Sequence, residues 1–536
     1  MSAKQTEQQS RTAHDATAAL VHALDNAAAF GHALHDLRIV ETHISWIILT
    51  GEYAYKIKKP VDFGFLDFST LQKRRHYCEE ELRLNRRFAP AIYLGVIEIY
   101  GTPASPRLHG GGEVIEYAVK MVEFSQQSLL SSHADAGTLT PAMVDDIAQR
   151  VDALHADADT ASPASGFGSA DSVQHWSEEN LAHLRDTVPA ALMPASFAEL
   201  ETWYRGLDGI RTQIEQRLRD GFVRECHGDL HLGNMALIDG EITPFDCIEF
   251  NPELRWIDTI SEAAFVAMDL QARGYPGFGW RFISRYLEHC RDYAALDLLR
   301  YYIVYRALVR AKVEALRVEP ADRQAPDAFD EAFAYLELAA RWSRGRSAGM
   351  ILMHGLSGSG KSTVAAQLVE ALGAIQLRSD IVRKRLFDLA ADADSGSATD
   401  GGIYSADATE ATYRALRKIA SQVTGAGFRV IVDATFLLRS QRKILLELAR
   451  ARGLPCVVVD CDAPLDELRR RIVARENDPS EANLEVLERQ LERHQPVEAC
   501  EAGITGVVKL GADGLADADA GKIEELLLGK RSVDRQ

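Results

Sequence analysis

The chain has 536 residues, of which 46% are hydrophobic and 26% are charged, and its formal net charge is −18. A chain of this length exceeds a single core of ordinary size, so we expect about two to four domains of roughly 100–200 residues each. The acidic balance argues against a protein devoted to nucleic acid. The sequence contains no apolar run of about 18 residues, which excludes a membrane-spanning helix.

The cysteines indicate a reducing environment. There are seven of them, an odd number, and no Cys-x-x-Cys pair occurs. This pattern argues against a disulfide framework and against a zinc site. The first ten residues are polar and lead into no apolar segment, so no secretory signal is expected. We therefore expect a cytoplasmic protein.

The N-terminal part predicts a small lobe that is rich in strands. Residues 1–28 predict a polar tail followed by a helix, and residues 29–125 predict the lobe itself. Two runs of β-branched and aromatic residues flank the break at residues 50–52, which is typical of a β-hairpin. A helical stretch at 69–88 and two further strand-like runs complete the lobe.

The segment 126–342 predicts a mostly helical lobe, interrupted at 227–250 by short strands and loops. Within the interruption, Asp229 and Asn234 lie in the sequence HGDLHLGN, and Asp246 follows twelve residues after Asn234. Asp229 would orient or deprotonate an acceptor hydroxyl, while the oxygens of Asn234 and Asp246 suit Mg²⁺, a hard cation. The alternative is a polar loop of three unrelated residues.

This segment resembles the catalytic loop of aminoglycoside phosphotransferases and of choline- and homoserine-kinase-type enzymes, which are distant relatives of protein kinases. The resemblance implies a bilobal kinase-like fold, with residues 120–124 as the hinge that contacts adenine. It also implies that a strand lysine binds the ATP phosphates and pairs with a helix glutamate. The candidates are Lys56 or Lys58 for the lysine, and Glu81, Glu80 or Glu79 for the glutamate, with Lys56 and Glu81 favoured. The hairpin turn departs from the protein-kinase pattern, because it contains Gly51 and no G-x-G-x-x-G.

The segment 343–349 is polar and contains two glycines, which predicts a linker. After it, residues 350–530 alternate between apolar strands and helical stretches, a pattern that predicts an α/β domain with a parallel sheet. The fold class expected for the chain is therefore multidomain, with an α+β kinase-like fold followed by a P-loop NTPase fold.

The sequence GLSGSGKS at residues 355–362 fits G-x-x-x-x-G-K-[ST] and lies between a predicted strand and a predicted helix. Its glycines let backbone N–H groups wrap around phosphates, and the helix that follows adds its positive N-terminal end. Lys361 would reach the β- and γ-phosphates, and the Ser362 hydroxyl would bind Mg²⁺. The residues predicted to hold ATP are Gly355, Ser357, Gly358, Ser359, Gly360, Lys361, Ser362 and Thr363.

Three weaker signals follow the P-loop. Asp380 would face the phosphate crevice as a base, and Arg383 of the same S-D-x-x-R stretch would hold substrate or neutralise developing charge. The alternative is a helix-capping Asp with a surface Arg. Asp433 ends an apolar strand and would hold Mg²⁺, unless it is a plain strand-end residue. Arg471 and Arg475 share a helix face and would close over ATP, unless that face is simply solvated.

These motifs resemble the small P-loop kinases that include zeta-toxin, gluconate-kinase, chloramphenicol-phosphotransferase and polynucleotide-kinase relatives. The two resemblances together imply a bifunctional enzyme that uses ATP and Mg²⁺ to phosphorylate hydroxyl groups of small molecules at two sites. One alternative is a polynucleotide 5′-hydroxyl kinase activity in the C-terminal domain. Another is a non-catalytic protein that is gated by ATP. The sequence names neither acceptor and does not determine the oligomeric state.

Overall fold

The computed structural model describes residues 15–64, 66–390, 393, 395–397, 401–474 and 480–529. The chain divides into two compact units. The first unit runs to Ser177 and adds Ile214–Val266, and the second contains Glu178–Gln213 and the chain from Ala267 onward. Among the described residues, no helix combines the length and the apolar character needed to cross a membrane.

The first unit is built on a six-stranded antiparallel sheet with the strand order β1-β2-β3-β6-β4-β5. One face of the sheet packs on the helix at residues 15–23 (α1), and the other packs on α2 (Leu71–Asn85). The strands are β1 (Arg38–Glu41), β2 (Ser45–Leu49), β3 (Tyr53–Lys58), β4 (Tyr93–Thr102), β5 (Ser105–Arg107) and β6 (Val114–Val122).

Helices and two small hairpin-like sheets follow the strand-rich part of this unit. The two-stranded sheets pair β7 (Val223–Glu225) with β10 (Trp256–Asp258), and β8 (Met235–Ile238) with β9 (Glu241–Pro244). Helical segments surround them. They belong to α3 (Leu130–Asp135), α4 (Pro141–Asp157), α5 (Ala170–Thr187), α7 (Arg211–Arg219), α8 (Pro252–Arg255) and α9 (Thr259–Ala272). The predicted order, a strand-rich lobe followed by a helical region with one interruption, is confirmed.

The second unit contains a five-stranded parallel sheet with the order β12-β13-β11-β14-β15. The strands are β11 (Gly349–His354), β12 (Ala374–Arg378), β13 (Arg429–Asp433), β14 (Cys456–Cys461) and β15 (Gly506–Leu510). The helices from the sheet onward are α13 (Lys361–Leu372), α14 (Ser379–Leu386), α15 (Ala406–Gly425), α16 (Arg439–Ala451), α17 (Leu465–Val473), α18 (Leu484–Arg493) and α19 (Asp517–Leu527). The predicted P-loop fold with a parallel sheet is confirmed.

Four further helices of the second unit precede the sheet in the chain: α6 (Ala195–Arg205), α10 (Pro276–Cys290), α11 (Leu296–Arg317) and α12 (Asp330–Arg344). Their sequence falls in the segment 126–342 that predicts the kinase-like helical lobe, except that α12 continues for two residues into the predicted linker. The compact unit and the sequence-based lobe therefore have different limits, and the domain boundaries at 28, 125, 342 and 349 stay a prediction.

Candidate active sites

The first candidate site lies on the face of the antiparallel sheet that α2 covers. Side chains alternate along a strand, so Lys56 and Lys58 of β3 share one face, while Tyr55 and Ile57 pack in the core on the other. Helix α2 begins after Thr70, whose side chain accepts a hydrogen bond from the Lys73 N–H. Its buried positions 74, 78, 81 and 85 form one stripe. This stripe carries Glu81 to the lysines.

Glu81 binds both lysines of β3. The Lys56 Nζ lies 2.9 Å from Glu81 Oε1, and the Lys58 Nζ lies 2.7 Å from Glu81 Oε2. Glu79 and Glu80 are placed elsewhere, because Glu79 pairs with Arg75 on the exposed side of α2 and Glu80 pairs with Arg83. The choice among the three glutamates is thus decided by packing.

The second partner of each lysine separates their roles. Lys56 also donates to Asp246, the predicted Mg²⁺ ligand, whereas Lys58 donates to the buried Glu249. Lys56 therefore lies at the edge of the site, next to a carboxylate whose side chain is 44% exposed, and Lys58 has no exposed surface. The prediction that Lys56 holds the ATP phosphates is consistent with this placement.

The buried charges perturb one another strongly. Burial opposes ionisation of Glu81, but the two lysines outweigh burial and lower the pKa of Glu81 to about 2. Burial also opposes the charge on Lys56, yet Asp246 and Glu81 raise the pKa of Lys56 well above its ordinary range. Burial raises the pKa of Glu249, and Lys58 offsets only part of that rise. The buried charges of the network therefore compensate one another.

The predicted catalytic loop follows β7 and brings Asp229 to Asn234. The side-chain amide of Asn234 donates to the Asp229 carbonyl at 2.9 Å and to Asp229 Oδ2 at 3.1 Å. The N–H of Phe245 donates to the Asn234 carbonyl at 3.0 Å, so Asp246 follows beside Asn234. Asp246 has a positive φ of 64° and its N–H donates to the Tyr93 hydroxyl. A non-glycine residue in this conformation is strained, and such strain is commonest at functional sites.

Buried residues behind the loop hold it in place, and the sequence did not single most of them out. Glu262 at the start of α9 accepts from the Gly228 N–H at 2.6 Å and contacts His155 at 3.0 Å. Asp258 at the end of β10 accepts from Arg217 of α7 at 2.8 Å. Burial lowers the pKa of His227, whose ring contacts the Phe245 carbonyl at 2.8 Å.

Glu123 was also missed as a functional residue. Its carboxylate accepts from the N–H groups of Thr50 and Gly51, at 2.9 and 2.8 Å. These are the residues of the β2-β3 turn, which has a single glycine. Glu123 lies in the predicted adenine hinge, and its own N–H donates to the Glu52 carbonyl. The Glu123 side chain therefore holds the β2-β3 turn, the place where the protein-kinase pattern has a glycine-rich motif.

The second candidate site is the P-loop of the second unit. Strand β11 is buried at every residue and is central in the sheet, and it delivers Gly355 to the carboxyl edge. Gly355 has a φ of 136°, and a Cβ there would lie 2.2 Å from the Cys461 carbonyl oxygen. Only glycine fits this position. Helix α13 then begins at Lys361, after Gly360 with a φ of 90°.

Lys361, Ser362 and Asp433 lie together at this edge. The Lys361 Nζ donates to the Leu356 carbonyl across the loop at 2.7 Å. Asp433 at the end of β13 is hydrogen-bonded by the Ser362 hydroxyl and by the Gln376 amide, the latter at 3.0 Å. Burial raises the pKa of Asp433, and Ser362 and Lys361 offset part of the rise. A hydroxyl beside a carboxylate at the N-terminus of the P-loop helix is a donor set that suits Mg²⁺.

A cavity of about 900 Å³ opens in front of this edge. Predicted site residues contribute to its lining: Ser357, Lys361, Ser362, Asp380, Arg383 and Asp433. Asp380 lies in the first turn of α14, as expected of a residue that faces the crevice. Arg383 is largely buried, and its guanidinium donates to the Ile403 carbonyl at 2.8 Å and to the Thr409 hydroxyl at 3.1 Å. The catalytic roles of Asp380 and Arg383 stay predictions.

Two arginines, Arg471 and Arg475, are predicted to close over ATP, and the described residues include only the first of them. Arg471 donates to the Gly358 carbonyl of the P-loop at 3.5 Å and to the Ala512 carbonyl at 3.0 Å. It therefore lies against the P-loop, and its contact with ATP stays a prediction. Arg475 lies outside the described residues.

A further contact with the P-loop comes from Gln490 of α18, which the sequence did not indicate. Its side-chain amide accepts from the Ser357 N–H at 2.8 Å and donates to the Ser357 hydroxyl at 3.0 Å.

Comparison with known proteins supports the P-loop assignment. A family model described as an AAA domain matches residues 350–497. Two uncharacterised proteins are each 32% identical to this chain over 447 residues, which is 83% of this chain and 88% of theirs. They are Rv2004c of Mycobacterium tuberculosis and Mb2027c of Mycobacterium bovis.

Two solved structures illustrate the range of structural likeness. Amicoumacin kinase hAmiN, in complex with AMP-PNP, Ca²⁺ and Ami, has a TM-score of 0.40 and 14% identity, over 62% of this chain and 96% of that chain. The Mycobacterium tuberculosis APS kinase CysC, in complex with AMPPNP and APS, has a TM-score of 0.25 and 24% identity. That match covers 34% of this chain and 99% of the APS kinase.

Proposed function

The chain belongs to the same protein family as Rv2004c and Mb2027c, and we propose that it is a bifunctional kinase of the cytoplasm. Each unit carries one site, and each site transfers the γ-phosphoryl group of ATP to a hydroxyl group of a small molecule. One observation carries the proposal: each unit holds a buried lysine beside a carboxylate that suits Mg²⁺, Lys56 at Asp246 and Lys361 at Asp433. All seven cysteines are free thiols, which supports a reducing compartment.

In the first unit, Lys56 binds the phosphates of ATP, and Glu81 holds the lysine in place. Asp229 accepts the proton of the acceptor hydroxyl or orients that hydroxyl for attack. Asn234 keeps Asp229 in position through its two contacts with it. Glu262, buried behind the loop, fixes the backbone at Gly228. Each residue thus contributes positioning or charge, which is what phosphoryl transfer requires of a protein.

In the second unit, the backbone N–H groups of the P-loop and the start of α13 hold the phosphates. Lys361 turns from the Leu356 carbonyl to the β- and γ-phosphates. Asp380, in the cavity, accepts the acceptor's proton, and Arg383 and Arg471 place positive charge around the transferred group. The cavity of about 900 Å³ is large enough for a nucleotide phosphate chain and a small acceptor together.

Both donor sets fit Mg²⁺. Asn234 and Asp246 in the first unit, and Ser362 and Asp433 in the second, offer only oxygen ligands, which hard divalent cations prefer. Bound there, Mg²⁺ would neutralise negative charge on the β- and γ-phosphates. The raised pKa of Asp433 agrees with this role, because a buried carboxylate without a cation is costly and a cation removes that cost.

The decisive experiment supplies γ-labelled ATP and a metabolite extract to the full chain and to two variants, Asp229→Asn and Lys361→Ala. We expect each variant to lose a different set of labelled products by about 10²–10³-fold, because each removes one part of one site. Matched controls are Asp220→Asn and Lys443→Ala, which change exposed residues of the same two units. Both controls should keep the wild-type products.

The outcomes separate the competing functions. If neither variant changes any labelled product while ATP still binds, the chain is an ATP-gated binding protein and the kinase proposal is wrong. If Lys361→Ala abolishes labelling of oligonucleotide 5′ ends and no small molecule is labelled, the second site is a polynucleotide kinase. Loss of a small-molecule product with each variant supports two kinase sites.

A further inference from the structure

Helix α10 presents one polar stripe to the parallel sheet of the second unit. Arg281, Ser284 and Glu288 are three, four and seven residues apart, so they lie on the same side of the helix. Each contacts a different residue of the P-loop fold: Glu370 of α13, Gln376 of β12 and Arg378 of β12. Nothing in the P-loop motif indicates that a helix preceding the linker would reach this site.

The contact of Ser284 shows how closely α10 joins the sheet. Strand β12 is an edge strand, and its Gln376 N–H donates to the Ser284 hydroxyl at 3.0 Å. An edge strand leaves such donors without a ladder partner, so α10 supplies the missing acceptor. The side chain of the same Gln376 donates to Asp433. Helix α10 therefore contacts a residue that holds the candidate Mg²⁺ ligand.

Glu288 contacts Arg378, a residue that lines the cavity. Arg378 donates from Nε to Glu288 Oε2 at 2.7 Å and from a terminal nitrogen to Glu288 Oε1, a bidentate pair. Glu288 is 4% exposed and Arg285 is its second cation, at 3.4 Å. Arg378 lines the cavity, lies opposite Asp433 in the strand register, and precedes Asp380 by two residues. The Glu288 carboxylate thus fixes the direction of the Arg378 guanidinium, which lines the same cavity as Asp433 and Asp380.

We infer that Glu288 is a positioning residue of the P-loop site, which acts through Arg378 at the wall of the cavity. The inference rests on the proposed kinase function of this site. Without Glu288, we expect the Arg378 guanidinium to turn towards Asp433 or Asp380, the carboxylates that line the same cavity. Asp433 is then less available to a metal ion and Asp380 less available to a hydroxyl proton. ATP contacts on the P-loop backbone remain, so turnover falls while nucleotide binding persists.

The test compares two ion pairs that join α10 to the P-loop fold. Glu288→Gln breaks the pair at the cavity, and Glu370→Gln breaks the pair with Arg281, which is 2.8 Å long and does not line the cavity. Both are made in the full chain that carries Asp229→Asn, so that the first site is silent. The readouts are Lys361-dependent release of inorganic phosphate from ATP, the apparent KM for ATP, the Lys361-dependent part of the binding of a fluorescent ATP analogue, and the melting temperature.

We expect Glu288→Gln to lower Lys361-dependent turnover by about tenfold or more, since small displacements in an active site cost up to about 10²-fold. The KM for ATP and analogue binding should change less than about twofold. Glu288→Asp, which keeps the charge, should recover part of the turnover, and Glu370→Gln should match the parent. This split between turnover and ATP binding is not expected of a helix that only stabilises the fold.

Other outcomes overturn the inference. If Glu288→Gln and Glu370→Gln reduce turnover equally, α10 acts by docking alone. If Glu288→Gln leaves turnover unchanged while Lys361→Ala abolishes it, the kinase function stands and the role of Glu288 is wrong. If Glu288→Gln unfolds the unit, the double variant Glu288→Gln with Arg378→Gln removes both charges of the pair. A folded and active double variant supports the inference, because no Arg378 guanidinium remains to occupy Asp433 and Asp380, whereas a folded double variant without Lys361-dependent turnover overturns it.

Discussion

The two candidate sites are built in opposite ways. The P-loop is local: residues 355–362, which form the turn after β11 and the start of α13, supply backbone N–H groups, a lysine and a hydroxyl. The site of the first unit is distributed, because Lys56, Glu81 and Asp246 come from a strand, a helix and a loop up to 190 residues apart. The local site uses backbone dipoles to hold anions, and the distributed site uses a buried network of side-chain charges.

This difference predicts how each site fails. A local site depends on backbone conformations that only glycine adopts, so a change of backbone geometry should disable it. A distributed site depends on charge compensation, so removal of one buried charge should destabilise the whole unit that assembles it. The predictions below test that contrast on stability.

The largest effect is expected for Lys58→Met in the first unit. Glu81 and Glu249 would keep their buried positions without this partner, which costs about 3–5 kcal/mol of unfolding free energy. The double variant Lys58→Met with Glu249→Gln should recover a large part of the loss, because it also removes a carboxylate. Urea unfolding monitored by circular dichroism measures both. If Lys58→Met lowers the unfolding free energy by less than about 1 kcal/mol, Lys58 does not compensate the buried charges of Glu81 and Glu249 as described.

A smaller effect on stability, with complete loss of ATP binding at the second site, is expected for Gly355→Ala. The new Cβ would meet the Cys461 carbonyl, and the residue would be forced to a φ of 136°. Strain of this kind costs roughly 1–3 kcal/mol. The matched control is Gly453→Ala, where φ is 64° but nothing lies within 4 Å of the added Cβ. Calorimetry should show ATP binding at two sites for the control and at one site, that of the first unit, for Gly355→Ala.

A modest gain in stability is expected for Asp433→Asn without nucleotide. Burial raises the folded-state pKa of Asp433 above its ordinary value of 3.8, so ionisation costs stability as the pH rises from 3.8 towards the folded-state pKa. The variant lacks that cost, and near neutral pH its melting temperature should rise by about 2–4 °C. It should also lose the stabilisation that ATP with Mg²⁺ confers on the second unit. A lower melting temperature of Asp433→Asn at pH 7 would contradict the view that the buried Asp433 carboxylate destabilises the unit when it is ionised.

The smallest effect is expected for Glu79→Gln. Glu79 pairs with Arg75 on the exposed face of α2 and does not contact either lysine. Surface pairs contribute little, so neither the stability nor the Asp229-dependent activity should change measurably. Glu81→Gln, two residues away, should abolish that activity by releasing Lys56. Equal effects of the two variants would mean that α2 is not oriented as described.

Much of both sites was predictable because the relevant patterns are short. The P-loop residues 355–362, the spacing of Asp229 and Asn234, and the strand that ends in Asp433 were each recognised within a few residues of sequence. The three adjacent glutamates at 79–81 show the limit of such patterns. Consecutive residues differ by about 100° around a helix, so only the packing of α2 on the sheet selects Glu81.

Residues outside the motifs were harder to foresee. Glu123, Gln490 and Glu288 act through contacts with chain segments 72 to 133 residues away, and each lies in an ordinary amphipathic or loop sequence. No local spacing distinguishes such a residue from a surface residue of the same type. The placement of α10 in the unit of the parallel sheet was missed for the same reason, because its sequence predicts a helix and not the partner of that helix.

The sequence by itself predicted the two fold types, from the order of the elements and the resemblance to kinases. It also identified the P-loop motif, and it proposed Asp229, Asp246 and Asp433 as site residues, because these signals are short. Only the tertiary structure decided that Lys56, and not Lys58, contacts Asp246. It also decided that Glu81 serves both lysines, and that Glu288 of α10 holds Arg378. The physical reason is that a buried charge is tolerated only beside its partner, and the partner is chosen by how strands and helices pack.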